Sequence, residues 1–288
     1  MSPTTPDPRR AESVTGFDPA FLPGAPCSVP EPDAARRIRS LDYTHFTVLL
    51  DAERKLAAVT AVNIDGSALL DLGRGDDWHL DERVPAAEQT GPEVYARNAL
   101  DRGHLVRRRD PVWGPDAVAA RANTDTFAYT NAAPQAAEFN QSKELWNGVE
   151  DHVLAYAESN GLRLSVFTGP VFDETDRLYR GTRIPTRFFK VAAWADTGRG
   201  RLATAGFLLD QSPQLGGIDL STVQPEQPAV DAVPPLGPFR TFQVPVADIE
   251  HLTGLAMPQL VAADVYLAPL AAAGRRWVEL SSPGQIRL

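Results

Sequence analysis

Runs of apolar residues along the chain predict an antiparallel sheet as its framework. The apolar stretches 45–50 and 56–63, separated by a polar turn at 51–55, predict a β-hairpin. Other strands are predicted at 126–130, 162–168, 188–194 and 202–209. Apolar residues at helical spacing predict helices at 93–100, 116–123, 145–159, 246–255 and 258–262. This mixture predicts an α+β fold with a mainly antiparallel central sheet flanked by helices.

Polar and proline-rich stretches suggest how the chain is divided. Residues 1–35 hold many Pro, Asp, Glu and Ser and few large apolar side chains, which predicts a poorly ordered N-terminal arm before one domain at 36–288. Within the arm, the more apolar stretch 16–22 is expected to dock on the domain as a short tether. Residues 73–92 and 210–237 are predicted to be long surface connections.

Composition is that of a protein with a real core and no membrane span. Of the 288 residues, 43% are hydrophobic, and no apolar run approaches the length that crosses a bilayer. The first ten residues lack the apolar region of a secretory signal, and Cys27 is the only cysteine, so an internal disulfide is excluded. These features predict a cytoplasmic protein without a membrane partner.

The charge is acidic overall but basic at one place. The net charge of -9 argues against a surface that coats nucleic acid, because non-specific affinity comes mostly from Lys and Arg. An enzyme needs to hold only the few phosphates around the bond that it cleaves. Arg102, Arg107, Arg108 and Arg109 surround His104, and we interpret them as a phosphate-binding focus, with a solvated face as the alternative.

Candidate chemistry lies in four ordered blocks. The first is Asp101-Arg102-Gly103-His104, and the second is Thr-Asn-Ala-Ala-Pro-Gln at 130–135. Phe-Asn-Gln follows at 139–141, and then Trp146 and Glu150. A histidine with an ordinary pKa of about 6.5 can accept a proton from water at neutral pH. Amide and carboxylate oxygens suit Mg²⁺ or Mn²⁺, so the blocks predict metal-assisted cleavage of a phosphodiester.

The ordered set of four blocks resembles the DNA/RNA non-specific endonucleases, which include the Serratia-type secreted nuclease and mitochondrial endonuclease G. The resemblance runs from about Tyr43 to the C-terminal region. It implies a ββα-metal (His-Me finger) core that hydrolyses DNA and RNA to 5′-phosphate ends, with one Mg²⁺ or Mn²⁺ ion per active site.

The resemblance also implies roles for individual residues. His104 corresponds to the general base, Asn140 to the metal ligand, and Glu150 to the carboxylate that positions metal-bound water. Arg74, four residues before Trp78, corresponds to an arginine that stabilises the transition state. Asp101, Gly103, Asn131 and Gln135 are expected to support the site.

Rivals to these assignments remain open. Asn131 and Asn147 are alternative amides, Glu144 is an alternative carboxylate, and Arg83 competes with Arg74. A core histidine satisfied by Asp101 is the alternative interpretation of His104.

Two positions depart from the family pattern. Six residues separate Asn140 from Trp146, where the named nucleases have four, so the two extra residues are expected in a loop before the helix. Leu154 stands where the family has another arginine, which puts the phosphate grip in doubt.

The expected function is a sugar-non-specific endonuclease acting on DNA and RNA. A catalytically reduced nucleic-acid-binding or regulatory protein on the same scaffold is the first alternative. A phosphodiesterase restricted to one nucleic acid or to small nucleotides is the second. The resemblance implies a homodimer, and an active cytoplasmic nuclease would need control by an inhibitor, by an activating partner or by removal of the N-terminal arm.

Overall fold

The computed structural model describes residues 15–73, 75–136, 161–217, 240–266, 277–280 and 285–286. The predicted helix at 145–159 and the second part of the predicted loop, 218–237, lie outside these residues. So do residues 1–14 of the predicted arm.

The framework is a large antiparallel sheet. In the described residues it has eight strands in the order β1-β2-β3-β6-β9-β10-β11-β12. Their bounds are β1 Ile38–Tyr43, β2 Phe46–Asp51, β3 Leu56–Asp65, β6 Arg163–Val171, β9 Arg187–Asp196, β10 Arg201–Asp210, β11 Arg240–Val244 and β12 Val278–Glu279. The predicted hairpin, the predicted strand at 162–168 and the later antiparallel pair are all confirmed.

Both faces of the sheet are covered, which explains the nearly continuous apolar runs in its central strands. Along β9, Phe188 and Ala192 enter one core, and Phe189 and Val191 enter the other. This alternation follows from the two-residue period of a strand. All ten residues of β3 are buried, because β3 lies between β2 and β6 and both of its faces are packed.

On one face lie two helices and the N-terminal segment. The helices are α4 Val246–Thr253 and α5 Pro258–Ala262, close to the predicted helical stretches. Phe21, Leu22 and Cys27 pack into the same core, and burial, partly offset by a hydrogen bond with Ser165, raises the pKa of the Cys27 thiol to about 11. The docking of 16–22 is therefore confirmed. The prediction of a poorly ordered arm is wrong for 15–35, because its few apolar side chains fill this core.

On the other face lies a two-stranded ribbon with short helices around it. The ribbon pairs β4 Leu100–His104 with β5 Ala132–Ala136. The helices are α1 Pro92–Tyr95, α2 Asp116–Asp125 and α3 Ser212–Gly217. A further small hairpin joins β7 Arg177–Tyr179 to β8 Thr182–Ile184.

Three local predictions on this face are wrong in part. Residues 126–130 form a turn and a 3₁₀ turn instead of a strand, and the strand begins only at Ala132. The helix expected at 93–100 ends at Tyr95, since the chain must extend into β4. Part of the predicted loop after residue 210 is helical, as α3.

The predicted surface connection at 73–92 is fixed by a buried polar network. The Arg83 guanidinium donates to both carboxylate oxygens of Asp81 and to the Asp42 carbonyl oxygen. Tyr43 donates its hydroxyl hydrogen to Asp81 and contacts Thr130. These bonds tie the connection to β1 and to the chain that leads into β5.

No helix among the described residues is both long enough and apolar enough to cross a membrane. The mixed α+β architecture with a mainly antiparallel sheet agrees with the prediction.

His45 is a buried structural histidine. Its ring stacks on Trp113 with 3.5 Å between centroids, and Nδ1 lies 2.8 Å from the Pro111 carbonyl oxygen. Burial lowers the pKa of His45, although the hydrogen bond to Pro111 opposes that shift. The folded state therefore favours the neutral form of the His45 ring.

We expect this histidine to make the fold sensitive to mild acid. The unfolded chain binds the proton more readily than the folded chain does. The contribution of His45 to the free energy of unfolding is therefore complete above its ordinary pKa of about 6.5, and it decreases as the pH falls below that value. His45→Asn tolerates the left-handed backbone (φ 66) and does not titrate. Urea unfolding at several pH values should give a smaller loss of stability for this variant between neutral pH and pH of about 5. An identical pH dependence would contradict the assignment.

Candidate active site

The β4–β5 ribbon places the first two sequence blocks side by side. The strands are antiparallel, and Asp101 faces Gln135, Gly103 faces Ala133, and His104 faces Ala132. Because side chains alternate along a strand, Arg102 and His104 share one face of the ribbon, whereas Asp101 and Gly103 share the other. Asp101 therefore does not share a face with His104, which it would satisfy in the alternative interpretation of this histidine.

Arg102 and His104 meet the same indole ring. The ring centroids of Trp78 and His104 are 4.7 Å apart, and the Arg102 guanidinium carbon lies 5.2 Å from the centre of the Trp78 ring. Arg102 is also 3.7 Å from the exposed carboxylate of Asp76. We call Trp78, Arg102 and His104 the catalytic face, after the role that we propose for it. An imidazole and a guanidinium side by side are the groups that a proton transfer next to a phosphate requires.

Aromatic side chains form the wall behind His104. Phe127 meets the His104 ring edge-on at 5.2 Å, and Tyr129 lies 5.7 Å from Trp78. The backbone amide of His79 donates to the Phe127 carbonyl oxygen, and the Tyr129 amide donates to the His79 carbonyl oxygen. Trp78 is thus held on a segment that is bonded to the chain before β5, which fixes its ring against the histidine. No sequence motif had indicated a role for these aromatic side chains.

Asn131 holds the main chain just beyond His104. Its side-chain oxygen accepts from the Val106 amide at 2.8 Å, and its side-chain nitrogen donates to the carbonyl oxygens of Val106 and Thr126 at 3.0 Å. Its own carbonyl oxygen accepts from the Leu105 amide at 2.9 Å. The residue is completely buried. Asn131 therefore holds the chain on both sides of the ribbon, and its amide is already engaged in hydrogen bonds, which argues against Asn131 as the rival metal ligand.

Gly103 and Gln135 depend on each other. A Cβ atom on Gly103 would lie 2.1 Å from Cδ of Gln135, so the glutamine side chain occupies the place where any other residue would have its own. Gln135 is buried, and in the part of the chain that the structure describes, neither atom of its amide has a hydrogen-bond partner. A buried amide without a partner costs stability, and the Gln135 side chain lies beside Gly103 in the ribbon that carries His104.

The arginines after His104 are half-buried. Arg107, Arg108 and Arg109 form the turn that follows β4. Arg108 donates to the Leu72 carbonyl oxygen at 2.8 Å and to the side-chain oxygen of Asn123 at 3.2 Å. At least Arg108 is therefore engaged in holding the fold, in addition to any contact with phosphate.

The remaining predicted residues divide into two groups. Arg83, the rival upstream arginine, is engaged by Asp81 and Asp42, so its guanidinium serves the network described above. Arg74, Asn140, Asn147, Glu144 and Glu150 lie outside the described residues. Among the described residues, no three or more His, Cys, Asp or Glu side chains gather as a metal site would require.

Known proteins resemble this chain in sequence and in fold. The sequence model of a family described as DNA/RNA non-specific endonuclease matches residues 30–264. An uncharacterised protein of Sinorhizobium fredii, y4fB, is 41% identical over 244 residues, covering 80% of this chain and 35% of the relative. The chain thus spans about a third of that relative's length.

A solved structure shares the fold. It is that of an EndoG/EndoGI complex, described as showing the mechanism of EndoG inhibition, and it matches with a TM-score of 0.56 and 18% identity. The match covers 78% of this chain and 86% of that chain. It supports the α+β ββα-metal fold expected from the sequence.

The fit between Gly103 and Gln135 can be tested by a rescue. We expect Gly103→Ala to lower the free energy of unfolding by about 1–3 kcal/mol, because the new methyl group overlaps the Gln135 side chain. Adding Gln135→Ala removes the overlapping atoms, so the double variant should be more stable than Gly103→Ala alone. Denaturant unfolding measures both.

Gly75→Ala is the matched control, since its methyl group would meet nothing closer than 3.7 Å. Purely additive effects of the two changes would show that Gln135 does not occupy that place.

Proposed function

This chain belongs to the DNA/RNA non-specific endonuclease family, whose sequence model spans residues 30–264, and we propose on that premise that it hydrolyses phosphodiester bonds in both DNA and RNA with one Mg²⁺ or Mn²⁺ ion. The observation that carries the proposal is the catalytic face, where His104 and Arg102 pack on Trp78. The alternative, a core histidine satisfied by Asp101, fits less well because Asp101 lies on the other face of the ribbon.

His104 is proposed as the general base. The residue is half-buried, and its ring is held in a fixed orientation against Trp78 and Phe127. One ring nitrogen accepts a proton from the attacking water, the water oxygen forms a bond to phosphorus, and the bond from phosphorus to the 3′ oxygen breaks. The leaving oxygen takes a proton from solvent, so the products are a 5′-phosphate and a 3′-hydroxyl.

Arg102 is proposed to hold the scissile phosphate beside the base. A guanidinium can donate two parallel hydrogen bonds to phosphate oxygens, and stacking on Trp78 limits the positions that it adopts. The ion pair with Asp76 is long and exposed, and such pairs contribute little, so a phosphate can replace that carboxylate at small cost.

The donor set that the sequence supplies fits a divalent ion. Asn140 and Glu150 offer an amide oxygen and a carboxylate, the hard ligands that Mg²⁺ and Mn²⁺ prefer. We assign Asn140 as the direct ligand and Glu150 as the group that orients bound water. When bound, the ion would stabilise negative charge on the phosphate and on the leaving oxygen.

Several other assignments are part of the same proposal. Arg74 is assigned to stabilisation of the transition state, and the engagement of Arg83 elsewhere favours this choice. Arg107, Arg108 and Arg109 are assigned to substrate phosphates. Control by an inhibitor or an activating partner is also proposed. The inhibition of EndoG in the solved complex supports the proposal of an inhibitor by analogy. The proposal also includes a homodimer of this chain.

Loss of the base should abolish cleavage without loss of the fold. We expect His104→Ala to lower the cleavage rate by about 10²–10⁴-fold, the usual contribution of a general base. Its stability and its affinity for Mn²⁺ should change little, since His104 is not assigned as a ligand. Plasmid nicking with Mg²⁺ and with EDTA measures the rate, and His251→Ala, an exposed histidine, is the control. Activity of His104→Ala near that of the unmodified protein would refute the assignment.

Loss of the ligand should change metal affinity and rate together. We expect Asn140→Ala to weaken Mn²⁺ binding more than the roughly 10–100-fold that is typical of a residue outside the coordination shell, and raised Mg²⁺ should partly restore the rate. Glu150→Ala should act in the same direction but less strongly.

Isothermal titration with Mn²⁺ measures this affinity. Asn131→Ala is the comparison, because it should destabilise the fold and leave the affinity of the folded protein unchanged. The reverse result would identify Asn131 as the ligand.

A further inference from the structure

The small hairpin of β7 and β8 has a tight turn with arginine at its tip. Arg180 and Gly181 connect the strands, and both have positive φ angles, 47° and 80°. This is the geometry of a two-residue primed turn, in which the twist of the connection matches that of the strands. The hairpin is therefore a defined projection.

The hairpin is attached to the strand that carries His104. Ile184, Val94 and Leu100 form a small buried cluster at the start of β4, and Tyr179 packs against it. Asn98 joins the same parts by hydrogen bonds, because it donates to the Val94 carbonyl oxygen and to the Tyr179 hydroxyl, and accepts from the Leu100 amide. These contacts fix the position of the hairpin relative to the catalytic face.

Four positive side chains gather around this attachment. Arg97, Arg177 and Arg180 are exposed, and the Lys55 ammonium lies beside Gly181 at the tip, 3.6 Å from where a Cβ atom of Gly181 would be. Arg177 shares its face of the hairpin with Ile184 and Tyr179, and so points to the side of β4, whereas Leu178 and Arg183 share the other face. We call Lys55, Arg97, Arg177 and Arg180 the hairpin patch.

The fold accounts for some of these charges but not for all. Arg180 donates to the carbonyl oxygens of Glu93 and Ala96, so part of its guanidinium closes the end of α1. Arg97 and Arg177 form no hydrogen bond and no ion pair within the described ranges. In a chain of net charge -9, these two exposed arginines beside the strand of the base are placed to bind an anion.

The distance from the base suits a second contact with the same strand of nucleic acid. Leu100, where the hairpin is attached, is four residues before His104, about 13 Å along an extended strand. Successive base pairs of a duplex are roughly 3.4 Å apart, so this separation corresponds to about four base pairs.

We propose that the hairpin patch binds the phosphate backbone of the nucleic-acid substrate several nucleotides away from the bond that is cleaved. The proposal rests on the proposed nuclease function and adds a distant phosphate contact to it. This contact would also bind substrate phosphate in place of the arginine that the family has where this chain has Leu154. Phosphates are the partner that guanidinium and ammonium groups recognise without regard to sequence.

The test is the salt dependence of binding and cleavage by Arg97→Ala, Arg177→Ala and the double variant. Binding of a labelled duplex several turns long is measured by fluorescence anisotropy in EDTA, so that no cleavage is needed. Cleavage in Mg²⁺ is measured on the same duplex and on a dinucleotide, which is too short to reach the patch. Arg201→Ala is the matched control, because Arg201 is exposed and lies at the other end of the sheet, on β10.

Each arginine that contacts phosphate should contribute about 0.9 to the slope of log affinity against log salt, so each single variant should flatten this slope by that amount and the double variant by twice as much. Cleavage of the dinucleotide should be unchanged. Slopes equal to that of Arg201→Ala would overturn the proposal, and so would an equal loss of cleavage on the duplex and the dinucleotide.

The two proposals can fail separately. If the unmodified protein binds the duplex with slopes that depend on the patch but cleaves nothing, the nuclease function fails and the patch stands. If it binds no duplex at low salt, the patch is refuted whatever the protein does to the dinucleotide. Thermal unfolding of each variant shows whether the fold is intact.

Discussion

The structure around the candidate base depends on one buried amide. The side-chain oxygen of Asn131 accepts from the Val106 amide, and its side-chain nitrogen donates to the carbonyl oxygens of Val106 and Thr126. The chain that leaves His104 and the chain that enters β5 are thereby held as one unit, although they are separated in sequence. An aliphatic residue at this position would leave several buried backbone groups without partners, which is costly in an interior. The position of His104 is thus decided by a residue that itself has no access to substrate.

The ribbon that bears His104 is kept in place by more than its own two strands. Gln211, at the end of β10, donates to the Pro134 carbonyl oxygen and accepts from the Ala136 amide. Leu105, Val106 and Ala133 enter the core on this face of the sheet. A two-stranded ribbon is marginal by itself, so this attachment to the large sheet gives it the rigidity that a catalytic group needs.

Charge in this protein is distributed by task. The net charge is negative, and several arginines hold parts of the fold together. Arg83 pairs with Asp81, Arg36 pairs with Asp51, and Arg108 donates to Asn123. Arg102 differs, since it lies on an aromatic ring beside the base with only a long ion pair. An acidic surface with a few exposed cations near the base would limit non-productive binding and still hold the phosphates that matter for cleavage.

The sequence by itself determined the sheet, the helices on its outer face and the block that carries the base. Strands such as β3 and β9 are readable because their apolar runs have the length and composition of buried strands, and His104 is readable because Asp-Arg-Gly-His occurs in an ordered set of blocks. Residues 126–130 misled prediction, because their apolar pattern resembles a strand while the clamp of Asn131 requires a turn. Only the tertiary structure decided that Arg102 and His104 share Trp78, that Gln135 fills the space above Gly103, and that Asn98, next to Arg97, bonds to the hairpin of Arg177. The reason is physical: local patterns follow from the period of a strand or helix, whereas these contacts join residues far apart in sequence, and packing alone brings them together.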